Sequence, residues 1–575
     1  MRFHLDSGTA IKNVAVFTIG LNLALVILGI TYYAIPVYSF VWDIHGAILI
    51  GTYIWNMLFI LVTKRPASGK TRLRRLYSLF SYFYLVFFTF VTFLAMFGNF
   101  LLSATFPDRQ ADYWFGFALI VIGYFGPATF CILLSLLCIK VLKEDASIAQ
   151  ASELSPRRVH LRHRWWVGMK ATAYILLAGT SPLIVYFVFA SPTSFDSLMF
   201  GVFVSQLAGF IGFMYLGLTF MLLRTKDRKK EKAAFITIAT LGIVVSVGCF
   251  APLLMTPTMM VNAETNFTAA FGSDWRSRID ATANARFMQT PFSLPEYFLN
   301  HDITAYQVKR DILFYTGTSG VDAGITLYFD VYLPPKGVTG LPGQNSTLVR
   351  IHGGGWQIGD KARGNMVQMN RYFASQGYIV FDIQNGMRSG GWELPIITPP
   401  NVLAPNITTD DMIRHVGIFF KYIIANQTKY GCNLSSTFIS GGSAGGQLTC
   451  AAALAIVSGN YTPWFGSDAM IKGLIPFYPG NGLAPPPLNG TIHELWEPTE
   501  MVGATSPPCL IFQGTNDLPH IVNASIRFKA AYDAHGRQCA IIWAPLAGHG
   551  NDLHFAGHYN RVFLYYMERF MYMFK

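Results

Sequence analysis

Seven stretches of this chain are apolar over a length that can cross a hydrocarbon core, which takes about 20 residues of helix. They run approximately over residues 14–33, 45–62, 77–102, 115–139, 171–190, 198–223 and 234–255. A segment placed in lipid must satisfy its backbone polar groups internally, so these stretches predict helices and an α-helical polytopic membrane domain. Composition points the same way. Of 575 residues, 52% are hydrophobic and 13% are charged, about half the charged share of soluble globular chains. That excludes a disordered, fibrous or wholly soluble chain. The first stretch has neither a short basic segment before it nor a small-residue cleavage site after it. It also opens a series, so it is expected to be a retained span rather than a signal peptide.

The basic residues set an orientation. Up to Lys232 there are 22 Lys and Arg against 10 Asp and Glu, which is the whole net charge of +12; the remainder has 21 of each. The loop after the second stretch holds Lys64, Arg65, Lys70, Arg72, Arg74 and Arg75. The loop after the fourth holds Lys143, Arg157, Arg158, Arg162, Arg164 and Lys170, and the loop after the sixth holds Arg224, Lys226, Arg228, Lys229, Lys230 and Lys232. The intervening loops have Arg109 alone. By the positive-inside rule the basic loops are cytoplasmic, so the N-terminus is expected inside and everything after residue 255 in a lumen or outside the cell. This loop placement accounts for the basic charge better than nucleic-acid binding does, and no nucleic-acid partner is expected.

Glycosylation triplets test the placement independently. Asn-x-Ser/Thr occurs at Asn266, Asn345, Asn406, Asn426, Asn433, Asn460, Asn489 and Asn523, and nowhere earlier. Single matches are weak; eight confined to the segment already placed outside make a pattern. The cores of the stretches carry no Asp, Glu, Lys or Arg, which argues against an ion-coupled transporter. Their polar side chains Asn22, Asn56 and Asn99 are expected to bond between helices rather than contact substrate.

From about residue 307 the pattern becomes short β-rich runs alternating with helical segments, as in a mainly parallel sheet with crossover helices. Eight strands are predicted at 307–315, 325–333, 348–351, 378–383, 437–440, 473–477, 509–513 and 540–544, with helices at 411–430, 445–457 and 558–574. The expected organisation is a seven-span domain over residues 1–257, a lumenal linker or cap over 258–306, and an α/β-hydrolase domain over 307–575 with an eight-stranded sheet and helices on both faces. Proline-rich stretches 395–405 and 485–487 are loops that could shape an entrance.

The chemistry begins at Gly441-Gly442-Ser443-Ala444-Gly445. Gly-x-Ser-x-Gly between a strand and a helix needs small residues because the chain turns sharply and lifts the serine hydroxyl above the sheet edge. By itself the pentapeptide could equally be a glycine turn before a helix-capping serine. Upstream, His352-Gly353-Gly354-Gly355-Trp356 follows another strand. Consecutive glycines let backbone N–H groups point into one cavity, as an oxyanion hole requires. The expected donors are Gly354 and Gly355, with Gly353 as a further candidate, and Ala444 after the nucleophile. Asp517 follows the seventh strand and His549 the eighth, where a doubly wound sheet collects its ligand site. His549 would take the Ser443 proton, and Asp517 would orient the imidazole. Nearby rivals are Asp552, His554 and His520. A metal cluster of His549, His554 and His558 is disfavoured because no pair has HExxH spacing and the oxyanion glycines would go unexplained. No cofactor and no metal are expected.

These motifs carry a resemblance. The stretch from about Ile325 to Phe555 resembles the α/β-hydrolase HGGG esterase/lipase group, whose members include hormone-sensitive-lipase-like esterases, feruloyl-esterase-like proteins and prenylcysteine methylesterases. The matching residues are Asp330-Val-Tyr-Leu-Pro, His352-Gly-Gly-Gly-Trp-Gln-Ile-Gly-Asp-Lys361, Gly442-Ser-Ala-Gly-Gly-Gln-Leu, Gly514-Thr-Asn-Asp517 and Gly548-His-Gly. The resemblance implies a serine carboxylic-ester hydrolase, and together with the apolar stretches the expected function is a membrane-anchored one. After the fourth strand such proteins often have Asp-Tyr-Arg, where this chain has Asp382-Ile-Gln-Asn. The membrane half resembles no family.

Cys432, Cys450, Cys509 and Cys539 lie on the expected outer side, where disulfides are possible. Cys509 and Cys539 open the last two strands and could pair if their spacing allows. Cys450 is read as a buried small hydrophobe. Two alternatives to the hydrolase stay open: an acyltransferase or thioesterase with the same triad, and a seven-span receptor or transporter with a non-catalytic binding domain. A membrane anchor suggests an ester held in, or delivered by, the membrane.

Overall fold

The computed structural model describes residues 8–35, 40–64, 71–104, 110–148, 168, 170–194, 197–198, 201–300, 305–362, 366–390 and 397–575. Arg65, Lys70, Arg109 and the arginines between 157 and 164 lie outside the described residues, as do residues 395 and 396 of the first proline-rich stretch.

Among the described residues, seven helices are long and apolar enough to cross a membrane. They are α1 (Gly8–Ala34), α2 (Phe40–Val62), α3 (Arg72–Ala104), α4 (Gln110–Ile148), α5 (Lys170–Phe189), α6 (Ala208–Thr225) and α7 (Lys232–Leu254). α3 and α4 pack closely because small residues face each other: a Cβ on Gly98 would lie 2.5 Å from the Gly116 carbonyl oxygen. Close backbone approach of this kind recovers dispersion contact that apolar lipid does not otherwise favour. The amides of Asn22 and Asn56 bond reciprocally between α1 and α2 at 2.8 Å. Asn99 donates to the Phe298 carbonyl at 3.1 Å. All three asparagines therefore bond between segments of the chain.

The C-terminal sheet has eight strands: β1 (Gln307–Thr316), β2 (Thr326–Leu333), β3 (Ser346–Ile351), β4 (Ile379–Ile383), β5 (Asn433–Gly442), β6 (Ile471–Phe477), β7 (Cys509–Gly514) and β8 (Cys539–Ala544). Their order is β1-β2-β4-β3-β5-β6-β7-β8. β1 pairs antiparallel with β2, and β2 antiparallel with β4; the remaining pairings are parallel. Central strands such as Ile379-Val-Phe-Asp-Ile383 are buried along their length, the pattern of a sheet covered on both faces. Alternation divides each strand between two cores. Val349 and Ile351 face a layer with α11 (Thr409–Ala425), α12 (Ala444–Ser458) and α13 (Pro519–Ala534). Leu348 faces the other layer, with α10 (Val367–Ser375) and α14 (His558–Phe574).

The stretch expected to be a linker or cap is helical over much of its length. Immediately after α7, α8 (Thr256–Phe271) places Met259, Ala263, Phe267 and Phe271 at helical spacing on one buried face. That face packs on Tyr566 and Phe570 of α14, with ring centroids 5.0 and 5.3 Å apart. Asn266 donates to the Ile541 carbonyl of edge strand β8 at 3.0 Å. An amphipathic helix thus shields the sheet edge, which would otherwise expose unpaired backbone. The chain then returns to the long helices through α9 (Leu294–Leu299), where the Tyr297 hydroxyl donates to the Gln206 carbonyl at 2.9 Å. Cys509 and Cys539 stand directly opposite each other in the β7–β8 register, buried as free thiols, and burial raises the Cys509 thiol pKa well above its ordinary value.

Candidate active site

β5 ends at Gly442, and α12 starts at Ala444. One residue joins them. Ser443 has φ 57° and ψ −120°, a conformation that a residue with a Cβ adopts only when its surroundings impose it. Two observations explain the glycines around it. A Cβ on Gly441 would meet the Ile351 carbonyl oxygen at 2.4 Å, and one on Gly445 would meet the His352 and Ile351 carbonyl oxygens, each at 2.4 Å. These are backbone atoms of the neighbouring strand end and cannot yield as a flexible side chain would.

The loops after β7 and β8 bring two distant residues to this serine. The Ser443 hydroxyl and His549 Nε2 are 2.8 Å apart, and His549 Nδ1 is 2.8 Å from Asp517 Oδ2. With Nδ1 protonated, the ring donates to the carboxylate and accepts from the hydroxyl. Asp517 is 1% exposed, so its charge needs compensating bonds. The Leu518 N–H donates to Oδ1 at 2.7 Å, and the Gln513 amide donates to Oδ2 at 3.2 Å. Gln513 is itself held by the Ser525 hydroxyl at 2.7 Å.

The triple glycine lies beside the serine. A Cβ on Gly353 would fall 2.6 Å from the Gly442 carbonyl oxygen and 3.4 Å from Ser443 Cβ. Gly354 and Gly355 have φ of 122° and 59°, values that a side chain disfavours. The turn is anchored by Trp356, whose indole donates to Gln447 Oε1 on α12 at 3.0 Å. His352 is buried beneath the turn and its Nδ1 lies 3.0 Å from the Gly353 carbonyl oxygen. Burial lowers its pKa, which favours a neutral ring.

The rival groups make other bonds. His554 Nε2 is 3.1 Å from the Tyr297 carbonyl oxygen, and His520 is on the surface. Asp552 accepts from the Tyr478 hydroxyl at 2.5 Å, and burial raises its carboxyl pKa. Sequence reasoning missed Tyr478, whose ring centroid is 4.4 Å from that of His549. The available signal was its place just beyond the C-terminal end of β6, on the edge where the site residues gather. Among the expected glycan acceptors, Asn345, Asn406, Asn433, Asn460 and Asn523 are exposed, while Asn266, Asn426 and Asn489 are half-buried.

With this geometry in view, comparisons with known proteins bear on the C-terminal part. Residues 329–468 match the BD-FAE family model. No curated protein matches the chain. Among solved structures, the apo form of Thermogutta terrifontis esterase 2 is 23% identical, covering 47% of this chain and 92% of its own with a TM-score of 0.34. The same enzyme phosphorylated by paraoxon is 23% identical over 43% of this chain and 84% of its own, at a TM-score of 0.32. Esterase B from Lactobacillus rhamnosis is 18% identical over 52% of this chain and 89% of its own, at 0.33. By strand order and family match together, the C-terminal part of this chain is an esterase-like α/β-hydrolase domain.

Proposed function

We propose that the protein is a membrane-anchored serine carboxylic-ester hydrolase. Ser443 attacks the ester carbonyl as His549 takes its proton, forming a tetrahedral intermediate. His549 then returns the proton to the departing alkoxide, which leaves as the alcohol. Asp517 holds the tautomer and stabilises the imidazolium. The N–H groups of Ala444, Gly354 and Gly355, with Gly353 as a further donor, receive the oxyanion. Water, activated by the same histidine, releases the acid. The observation that carries this reading is the unbroken bonding from Ser443 through His549 to Asp517 at 2.8 Å each, built on a strained strand-to-helix turn.

Membrane anchoring rests on the surface of the helical part. Of the large apolar side chains exposed on the described residues, 36 lie from Val16 to Val261 and 6 lie beyond. Water would penalise such a surface, and lipid would not. The basic loops then put the N-terminus in the cytoplasm and the hydrolase domain, with its eight acceptor asparagines, on the lumenal or extracellular side. The substrate class that suits this arrangement is an ester residing in the membrane. Transfer of the acyl group to an alcohol or hydrolysis of a thioester uses the same groups, and product analysis with and without an acceptor alcohol separates these.

The deciding experiment is labelling of the full-length protein with a fluorophosphonate. The native protein should be labelled covalently and Ser443→Ala should not. Undiminished labelling of the variant would overturn the assignment.

A further inference from the structure

The loops that carry the acid and the base are held by the helical region at several points. Asn551 is buried two residues after His549. Its Oδ1 accepts from the Gly548 N–H at 2.8 Å while its Nδ2 donates to the Val202 carbonyl at 2.8 Å. One side chain therefore links the residue before the base to the segment preceding α6. Gln206, equally buried, accepts from the His554 N–H at 2.8 Å and donates to the Val202 carbonyl. On α3, the Ser103 hydroxyl oxygen accepts from the Phe555 N–H at 2.9 Å. On the acid side, Asn516 reaches the Val188 carbonyl of α5 at 3.4 Å.

The base loop needs such support. From Pro545 to Gly557 it contains no regular helix or strand, and Leu546 and Gly550 have positive φ. Its own backbone ladder cannot fix where the imidazole stands. A narrow crevice of about 10 Å³, room for one water, also lies at His549, walled on the hydrolase side by Asn516 and Gly548 and on the helical side by Phe187, Pro192 and Leu198.

We propose that the α5 end and the segment before α6 are a working part of the active site. Gln206 is a positioning residue for His549, acting through Val202, Asn551 and the His554 backbone. Phe187, Pro192 and Leu198, which now leave room for a single water, part to admit the hydrocarbon portion of an ester arriving from the bilayer. This rests on the serine-hydrolase reading.

The test uses the full chain in lipid nanodiscs, with one short-chain and one long-chain ester and the fluorophosphonate. Gln206→Leu removes all three bonds of that side chain, including its donation to the Gly550 carbonyl. Asn551→Asp keeps the acceptor for Gly548, removes the donations to the Val202 and His549 carbonyls, and buries a carboxyl group in their place. Both should lower kcat and the labelling rate by about tenfold or more, with KM changed by less than about twofold. Ala190→Trp, at the rim of the same cleft, should lower the long-chain to short-chain ratio of kcat/KM by about tenfold, through steric exclusion. Wild-type kcat in the first two variants, or a loss confined to KM and thermal stability, overturns the positioning role. An unchanged ratio in Ala190→Trp overturns the hydrocarbon wall, and that variant decides if the others fail to fold. A native protein that takes no label condemns the hydrolase reading itself, a different failure from these.

Discussion

The helical and hydrolase regions answer the same hydrophobic driving force in opposite ways. Before residue 262 the large apolar side chains turn outward in quantity; beyond it they are packed into two cores around a sheet. Glycines without room for a Cβ occur in both: a carbonyl oxygen stands 2.5 Å from that position at Gly98 on α3 and 2.4 Å at Gly445, whereas Gly51 on α2 has nothing within 4 Å. The first region is joined through small residues and a few amide bonds. The second specifies one backbone path to place one hydroxyl.

The sharpest way to break that contrast is at Ser443. Ser443→Ala should abolish fluorophosphonate labelling with the melting temperature unchanged, since it removes one hydroxyl and no packing. Within the same loop, His549→Ala should lower kcat by roughly 10³-fold or more, and His554→Ala far less. Equal losses, read by steady-state kinetics, would mean that both histidines are structural.

Topology comes next. A tag after Lys575 should resist protease added from the cytoplasmic side, and an N-terminal tag should be cleaved. Glycosidase should shift the mass in steps, with the exposed acceptors Asn345, Asn406, Asn433, Asn460 and Asn523 contributing before Asn266, whose amide nitrogen is engaged with Ile541. Two tags cleaved, or two protected, would mean that an even number of helices crosses, and the reverse protection pattern would invert the orientation.

The glycine comparison predicts a smaller, graded effect. Gly445→Ala should destabilise the hydrolase domain by about 3 kcal/mol or more, because the new methyl meets backbone that cannot move aside. Gly51→Ala should change stability by less than about 1 kcal/mol. Thermal unfolding followed separately in the two regions would measure both, and similar costs would erase the distinction.

The smallest expected effect lies at the junction. Burial lowers the His554 pKa from 6.5 to about 4 and the His558 pKa to about 3, the latter helped by the neighbouring His554 ring. Both are held neutral when folded, while the unfolded chain takes up protons below about pH 6.5. Stability should therefore be constant above that pH and fall as pH drops toward 4. His558→Phe should flatten this decline, as seen in melting temperature against pH; an unaltered slope would assign acid sensitivity elsewhere.

Much of the candidate site was legible because strand ends and glycine spacing are local signals. Ser443, Asp517 and His549 each follow a β-rich run, and the eight runs appear as eight strands. The packing of residues 256–300 was less legible, because the helical spacing of Met259, Ala263, Phe267 and Phe271 does not say which surface it meets and Asn266 pairs with Ile541 some 275 residues away. Tyr478 is marked only by its place at the end of β6, and nothing near it in the chain announces the ring of His549.

What this sequence determined by itself is periodic or contiguous: seven apolar stretches, the sign of the loops between them, the alternation of strands and helices, and the motifs at strand ends. Each depends on residues a few positions apart, whose side chains must share a face or a turn. Tertiary structure alone decided that Val202 and Gln206 of the helical region stand against Asn551 and His554 of the base loop. Such contacts join segments about 350 residues apart, and no local propensity records them. They form only when the burial of both regions brings the Val202 carbonyl, the His554 N–H and the side-chain amides of Asn551 and Gln206 to the same place, where each must find a partner.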